Sequence, residues 1–365
     1  MKAAVLTAFG APLSIQTLPA PVAGPGEIVV DVKAAPILPY TKEILAGARV
    51  YSLTPPMVPG CGAVACVSAV GPDATTLRPG DWVFCDPTLR SRDDPHTRDA
   101  ALQGWDARGE TGAILQQRYR DGPFAQQMRL PLENALPIPI DRSPAAQDDD
   151  TLLQWSALNT LLVPYGGLAS IGFSPGETLL VSGATGHFGS ATVAVALAMG
   201  AARVVVAGRN TKRLAALVDR FGSRVVPVAL SGIEPDDKRR MRAAGRDIID
   251  CVLDFLPPTA TSRTARAAMM SVRQGGRVVL MGGIGLQGEE DLVLPYPWFM
   301  LNNITVRGQW MYSRASAPRL VALVEAGLLR LDDFAIMRFA LDDVNAAIED
   351  AAAHPVPFRL TVVCP

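Results

Sequence analysis

The strongest chemical pattern in the chain is a glycine-rich stretch in its central third. The apolar run Thr178–Ser182 leads into glycines at every third position, Gly183, Gly186 and Gly189, and an alanine-rich run follows. Gly186 would let the backbone approach an anion closely, and Gly189 would let a helix pack tightly against a sheet. The first turn of a helix also presents unpaired N–H groups and a positive dipole. The stretch therefore predicts an anion site built from backbone, of the kind that holds a dinucleotide pyrophosphate.

The spacing is a variant of the standard dinucleotide fingerprint, because the first glycine of that fingerprint falls on Ala184. Its position between a predicted strand and a predicted helix supports the assignment. We interpret His187 as a side chain over the cofactor phosphates, with a catalytic base as the alternative. The turn residues predicted to contact the cofactor are Gly183, Ala184, Thr185, Gly186, His187, Phe188 and Gly189.

The residues after the next apolar run indicate which dinucleotide binds. An NAD site normally places an Asp or Glu on the ribose 2′-hydroxyl about 20 residues after the glycines. Here Arg203–Ala207 leads instead into Gly208, Arg209 and Asn210, with Arg213 close behind. A 2′-phosphate would meet no repulsion there, and a guanidinium can bind it with two hydrogen bonds. The sequence predicts NADPH; the alternative for the basic residues is a solvated helix start.

These residues need a parallel sheet to position them. Between residues 178 and 308, short apolar strands alternate with helical or loop stretches, including predicted helices at Gly186–Met199 and Thr211–Phe221. Repeated βαβ units predict an α/β fold with a doubly wound parallel sheet. The predicted strands are Thr178–Ser182, Arg203–Ala207, Arg224–Val228, Ile248–Asp254, Arg277–Met281 and Ile304–Gly308.

The two ends of the chain predict a second, antiparallel β domain. The first 150 residues alternate short β-rich runs, such as Glu27–Val32 and Val64–Val70, with Pro and Gly turns. Residues 315–365 end in the strand Arg359–Val363 and are predicted to complete this domain, which leaves 151–314 for the cofactor. The acidic run Asp148–Asp150 is a linker or a solvated helix start.

Composition favours a small-molecule partner in a reducing compartment. The chain has 365 residues, of which 49% are hydrophobic, and a formal net charge of −1, which gives no global attraction to nucleic acid or an anionic membrane. No apolar run approaches the roughly 20 residues of a membrane span, so we expect a cytoplasmic protein. The cysteines form no C-x-x-C pair and are interpreted as buried thiols; they are Cys61, Cys66, Cys85, Cys251 and Cys364.

Several ordered segments resemble the medium-chain dehydrogenase/reductase superfamily over nearly the whole chain. They are MKAAVLTAFG, PMVPGCG, RPGDWV, DGPFA and GGRVV, which occur in the order typical of that superfamily. The resemblance implies a GroES-like antiparallel β domain carrying the substrate site and a Rossmann domain carrying the cofactor. It is closest to the zinc-independent, quinone-oxidoreductase-like members.

The resemblance also predicts that no metal is bound. Zinc-dependent members hold a catalytic metal at three positions that correspond here to Leu38, Cys61 and Ser156, and Leu38 cannot be a ligand. Their structural zinc needs four cysteines in the lobe spanning 86–121, which has none. We interpret Cys61 as a buried thiol, with a residual ligand or reactive role as the alternative. The lobe shapes the substrate mouth or a subunit contact.

The remaining site residues follow from the resemblance. Tyr40 falls where relatives place the hydroxyl that relays a proton, so it is the candidate proton donor, with a packing role as the alternative. Thr160, Gly282 and Gly283 correspond to residues near the nicotinamide. The apolar strand Asp291–Leu294 resembles an edge that relatives pair across a two-fold axis, which predicts a homodimer. The candidate substrate-pocket aromatics are Tyr51, Trp82 and Trp310.

A site without a metal can reduce only substrates that accept a hydride readily. Hydride delivery then relies on hydrogen-bond donors, which favours quinones, enones and other activated alkenes. Reduction of an aldehyde, ketone or imine by the same cofactor is one alternative. A protein that binds NADPH without turnover is the other.

Overall fold

The computed structural model describes residues 1–49, 51–93, 96, 100–140, 150–286 and 291–365. These residues form two compact units. The first unit comprises Met1–Asn159, Leu331–Pro355 and Arg359–Pro365, and the second comprises Thr160–Arg330 and Val356–Phe358.

The described strands and helices follow one another as short elements. The strands are β1 (Lys2–Val5), β2 (Ser14–Thr17), β3 (Glu27–Ile37), β4 (Ala63–Val70), β5 (Trp82–Cys85), β6 (Thr88–Arg90), β7 (Ala100–Leu102), β8 (Asp106–Ala107), β9 (Gln127–Pro131), β10 (Ala135–Pro137), β11 (Thr178–Ser182), β12 (Arg203–Gly208), β13 (Val225–Ala229), β14 (Cys251–Asp254), β15 (Arg277–Leu280), β16 (Thr305–Gly308), β17 (Ala335–Ala340) and β18 (Arg359–Cys364). The helices are α1 (Thr41–Leu45), α2 (Gly109–Arg118), α3 (Asp150–Gln154), α4 (Leu158–Ser170), α5 (His187–Ala198), α6 (Thr211–Phe221), α7 (Glu234–Ala244), α8 (Ser262–Met269), α9 (Tyr296–Leu301), α10 (Ser316–Glu325) and α11 (Val344–Ala353).

The first unit is built around β3. Within the described ranges its main sheet runs β10-β5-β4-β3-β18-β17, and β9 also pairs with β3. Two register shifts between β3 and β4 bend the long strand, and β3 pairs with β9 through its first half and with β18 through its last residues. All of these pairings are antiparallel except that of β17 with β18. The predicted antiparallel β fold of this region is therefore confirmed.

The lobe at 86–121 belongs to the first unit. In its described part, β6, β7 and β8 form a small antiparallel sheet against α2. Leu89, Ala101, Ala107 and Tyr119 form its apolar core. Residues 94, 95 and 97–99 lie outside the described residues.

The second unit is a doubly wound sheet, as predicted. Among the described residues its six strands are all parallel and run β13-β12-β11-β14-β15-β16. Numbered within the unit, this is the 3-2-1-4-5-6 order of a Rossmann fold. The bounds of β11 and α6 agree with the predicted ones, and β14 begins three residues later than expected.

The division into units differs from the predicted one at residues 151–159, 315–330 and 356–358, the last of which lie in the second unit. Residues 151–159 lie with the first unit because the short 3₁₀ helix Trp155–Ala157 packs on β3, β4 and β18. Residues 315–330 lie with the second unit, where α10 follows Tyr312, a residue that packs directly on Gly166 of α4. Of the predicted acidic linker, residues 148 and 149 lie outside the described residues, and Asp150 begins α3.

The predicted edge strand Asp291–Leu294 is wrong. These residues form no strand, and the edge of the parallel sheet is β16, which pairs with β15 alone among the described strands. An apolar run forms a strand only where a neighbouring strand satisfies its backbone hydrogen bonds, and residues 291–294 pair with none of the described strands. None of the described helices has both the length and the apolar character to cross a bilayer.

Candidate active site

The strand order brings the glycine-rich turn beside a second loop. β11 lies between β12 and β14, where the winding of the sheet reverses, and ligands of such folds bind at the carboxyl ends of the strands there. Ser182 and Asp254, the last residues of β11 and β14, are direct partners in the register. The residues that follow each of them therefore share one edge of the sheet.

The glycine-rich turn requires glycine at two positions for different reasons. Gly183 has φ +77°, which is costly for other residues. At Gly189, an added Cβ would lie 2.1 Å from the Gly183 carbonyl oxygen, so α5 packs against the turn without room for a side chain. Gly186 begins α5 in an extended conformation and no side chain caps it. The first N–H groups of α5 are therefore available to an anion.

The end of β12 places basic side chains next to this turn. Asn210 caps α6 by accepting a hydrogen bond from the Arg213 N–H at 3.0 Å. The Arg213 guanidinium donates to the Thr185 carbonyl oxygen at 3.2 Å. Gly208 is buried, and a Cβ there would lie 2.8 Å from Thr185. Arg209 is exposed. The structure thus joins Thr185, Gly208 and Arg213 and leaves the Arg209 side chain in solvent.

Thr160 and His187 form a pair. The Thr160 Oγ1 atom lies 2.8 Å from His187 Nε2, and Thr160 is buried. Desolvation lowers the pKa of the His187 imidazole to about 4, so the ring is neutral near pH 7. A neutral imidazole adds no positive charge to a phosphate site, but its ring N–H can donate a hydrogen bond.

The loop after β14 contributes residues that sequence reasoning missed. The Phe255 ring stacks on Phe188, with ring centroids 5.7 Å apart. Asp254 is buried, and burial raises the pKa of its carboxyl to about 6, although hydrogen bonds from Ser182 and the Leu256 N–H oppose this. The strand order was the available signal, since β14 adjoins β11 in the usual Rossmann order.

Gly282 and Gly283 lie beside the same loop. A Cβ on Gly282 would lie 2.5 Å from Asp254 Oδ2, and the Gly283 N–H donates to the Leu256 carbonyl oxygen at 2.8 Å. These two predicted cofactor residues therefore pack against the loop that carries Phe255.

In the first unit, Tyr40 belongs to an aromatic cluster that surrounds a cation. The Arg49 guanidinium carbon lies 4.2 Å from the Tyr40 ring centroid and 5.8 Å from that of Tyr51. Trp105 packs edge-on against Tyr51. Burial raises the pKa of Tyr40 well above its usual value, and the charge of Arg49 only partly opposes this. The Tyr40 hydroxyl is therefore protonated at neutral pH. Arg49 and Trp105 were missed by sequence reasoning.

The other predicted pocket aromatics are Trp82 and Trp310. Trp82 is buried in β5 and pairs with Cys66 of β4, which makes it a core residue. Trp310 belongs to the second unit, follows β16 and is half-exposed.

The residues at the zinc positions do not form a zinc-binding donor set. Leu38 is a buried aliphatic side chain, and Ser156 is a buried hydroxyl with no hydrogen-bond partner. Burial raises the pKa of the Cys61 thiol far above its usual range, and the charges of Asp86 and Asp106 add to this. A catalytic zinc needs three protein ligands, and one thiol beside an aliphatic side chain and a hydroxyl does not supply them. Within the described ranges, no group of three His, Cys, Asp or Glu residues could hold a metal ion.

Comparison with known proteins identifies the superfamily. The model of the alcohol dehydrogenase GroES-like domain matches residues 24–140, and that of the zinc-binding dehydrogenases matches residues 188–326. Together they match more than half of the chain. The chain belongs to the medium-chain dehydrogenase/reductase superfamily. It is accordingly an oxidoreductase with a GroES-like domain and a Rossmann domain.

Individual members of the superfamily are distant in sequence. An alcohol dehydrogenase of Rhizobium meliloti is 28% identical over 86% of this chain and 85% of its own length. An acryloyl-coenzyme A reductase of Metallosphaera sedula is 25% identical over 90% of both chains. A crystal structure from Sinorhizobium meliloti, described as a zinc-binding dehydrogenase bound to NADP, superposes with a TM-score of 0.76 over 100% of this chain and 99% of that one, at 22% identity.

Proposed function

We propose that this oxidoreductase works without zinc and uses NADPH to reduce a quinone, an enone or another activated alkene. The observation that carries the proposal is the residue set at the family's metal position. An aliphatic Leu38, a buried Cys61 thiol and the Ser156 hydroxyl replace the expected ligands, while the glycine-rich turn of the second unit leads into an uncapped helix start.

The cofactor residues fit NADPH. The uncapped start of α5 would hold the pyrophosphate, and Arg209 with Arg213 would receive a 2′-phosphate at the end of β12, where an NAD site has an acid. The stacked pair of Phe188 and Phe255 lies at the switch point and offers an apolar surface for a flat ring. When bound, the reduced cofactor supplies the hydride.

The substrate class follows from the lack of a Lewis acid. Without a metal to lower an alcohol's pKa or polarise a carbonyl, the substrate must accept hydride readily. In a conjugated enone, hydride adds to the β-carbon, the C=C bond becomes single and charge develops on the carbonyl oxygen. Tyr40 would donate the balancing proton and recover one from solvent. The relative named as an acryloyl-coenzyme A reductase supports reduction of a conjugated alkene.

Reduction of a simple aldehyde, ketone or imine is the second candidate, since another relative is named as an alcohol dehydrogenase. Oxidation of NADPH by a panel of quinones, enones and aldehydes separates the two. We expect turnover with enones or quinones in protein that elemental analysis finds free of zinc. Activity confined to aldehydes, or stoichiometric bound zinc, would overturn the proposal. If no compound in the panel oxidises NADPH, binding of NADPH without turnover is favoured.

We also propose a homodimer formed through the edge of the parallel sheet. All four residues of β16 are exposed, among them the large apolar Val306, and so are Tyr296 and Leu301 of α9. An unpaired strand edge flanked by apolar surface is a template for association. Light scattering after size exclusion should give twice the mass of one chain, and the Val306→Lys variant should have the mass of a single chain. A monomeric parent protein would contradict the proposal.

A further inference from the structure

Arg49 in the first unit is a cation without a described anionic partner. Its Nε is buried and makes no hydrogen bond, and none of the described carboxylates forms an ion pair with it. Its guanidinium instead packs over the Tyr40 and Tyr51 rings. Aromatic faces offset part of the cost of desolvating a cation, but they do not satisfy its N–H donors.

Asp106 acts electrostatically on Tyr51, and Asp86 together with Asp106 acts on Cys61; both carboxylates are engaged elsewhere. Asp106 accepts from the Ser52 N–H at 2.9 Å through one oxygen, and its other oxygen lies 2.9 Å from Arg108. Asp86 accepts from the Thr88 N–H at 2.8 Å. Neither carboxylate contacts Arg49 through these bonds, so the charge of Arg49 and its buried Nε–H donor remain available to an incoming group.

A buried charged donor is costly without a hydrogen-bond acceptor, which a bound anion or a water molecule can supply. The guanidinium fork matches a carboxylate, which can accept two parallel hydrogen bonds. Of the two rings over which Arg49 packs, the closer is that of Tyr40, the proposed proton donor. A carboxylate held by Arg49 would therefore lie next to the group that protonates the substrate.

We infer that Arg49 binds a carboxylate of the substrate, so that the protein selects activated alkenes that carry an acid group besides the reacting enone. This inference rests on the proposed function for the reaction, although the binding step stands on the contacts of Arg49 alone. Arg49 is a specificity residue in this assignment, and Tyr40 remains the proton donor.

The test compares an acid with its neutral ester. Acetylacrylate and methyl acetylacrylate share one enone and differ in the charge of the terminal group. We expect the wild-type kcat/KM for the acid to exceed that for the ester by about tenfold to a hundredfold, mostly through KM, because a charge-assisted pair has that strength. Arg49→Met should abolish the preference, and Arg49→Lys should keep part of it.

Lys42→Gln is the matched control, because it removes one positive charge from neighbouring α1, where Lys42 pairs with Glu349 in solvent. The acid-to-ester ratio should not change in this variant. A change as large as that of Arg49→Met would mean that general charge attraction, and not Arg49, sets the preference.

A binding measurement separates this inference from the proposed reaction. Levulinate, the reduced acid, should bind to the wild-type protein in calorimetry at least about tenfold more tightly than methyl levulinate, and Arg49→Met should remove the difference. That result supports the inference even if no enone is turned over. Equal binding of acid and ester, or an Arg49→Met variant that is folded by circular dichroism and keeps the preference, would overturn it.

Discussion

Substitution by alanine should have different effects at two glycines of the glycine-rich turn: a loss of stability at Gly189 and a loss of NADPH affinity at Gly186. At Gly189, an added Cβ would lie 2.1 Å from the Gly183 oxygen, 2.7 Å from its carbonyl carbon and 2.9 Å from Ala184 Cα. All three atoms are backbone, so no side chain can rotate away. At Gly186, the nearest atom is the Gly183 oxygen at 3.3 Å, and φ of −88° suits alanine.

The magnitudes follow from these contacts. Overpacking of this severity costs about 3 kcal/mol, and alanine in a helix regains about 1 kcal/mol, so Gly189→Ala should lose about 2 kcal/mol. For a unit of this size, that lowers Tm by about 4–8 °C. Gly186→Ala should leave the Tm of the cofactor-free protein within about 1 °C of the parent, because its strain is small. It should nevertheless weaken NADPH binding at least about tenfold, since the methyl group occupies the approach of the phosphates.

Differential scanning calorimetry without cofactor gives the two Tm values, and fluorescence titration gives the two dissociation constants for NADPH. The reasoning requires the effects to separate, with stability lost in one variant and affinity in the other. If Gly186→Ala bound NADPH as tightly as the parent protein does, the α5 terminus would not be the phosphate site. If Gly189→Ala melted at the parent temperature, the tight packing between α5 and the turn would be refuted.

Three further substitutions test the site. Arg209→Ala should weaken NADPH by about tenfold to a hundredfold and NADH much less in paired titrations, because only NADPH has the 2′-phosphate; equal losses would refute the assignment. Tyr40→Phe should lower kcat at least about tenfold in steady-state assays with NADPH affinity unchanged, and full turnover would remove Tyr40 from the mechanism. Asp254→Asn should stabilise the protein in denaturant titrations above pH 6. Burial raises the Asp254 pKa from 3.8 to about 6, so the free energy of unfolding of the parent protein falls by up to about 3 kcal/mol as pH rises through this window. Near pH 4 the Asp254 carboxyl is mostly protonated in the folded protein, and the two proteins should have similar stabilities. An advantage that is independent of pH would contradict this cause.

The bounds of strands and helices could be predicted where adjacent residues in the sequence mark them. The bounds of β11 and α6 could be read because an apolar run ends at the glycines in one case and Asn210 supplies a helix cap in the other. The prediction of a strand at Asp291–Leu294 was wrong because apolar composition alone does not provide a neighbouring strand. The unit boundary near Asn159 depended on packing of a short 3₁₀ helix against strands far away in the chain.

The sequence by itself determined the glycine-rich turn between strand and helix and the presence of Arg209 where an NAD site has an acid, because the residues concerned are adjacent along the chain. Only the tertiary structure decided that Asp254 and Phe255 adjoin the glycine-rich turn, that Arg213 reaches Thr185 and that Arg49 packs on Tyr40. Parallel register and core packing join residues that no local pattern connects. The burial that results raises the pKa of the Tyr40 hydroxyl and of the Cys61 thiol further above neutral than residue type alone would.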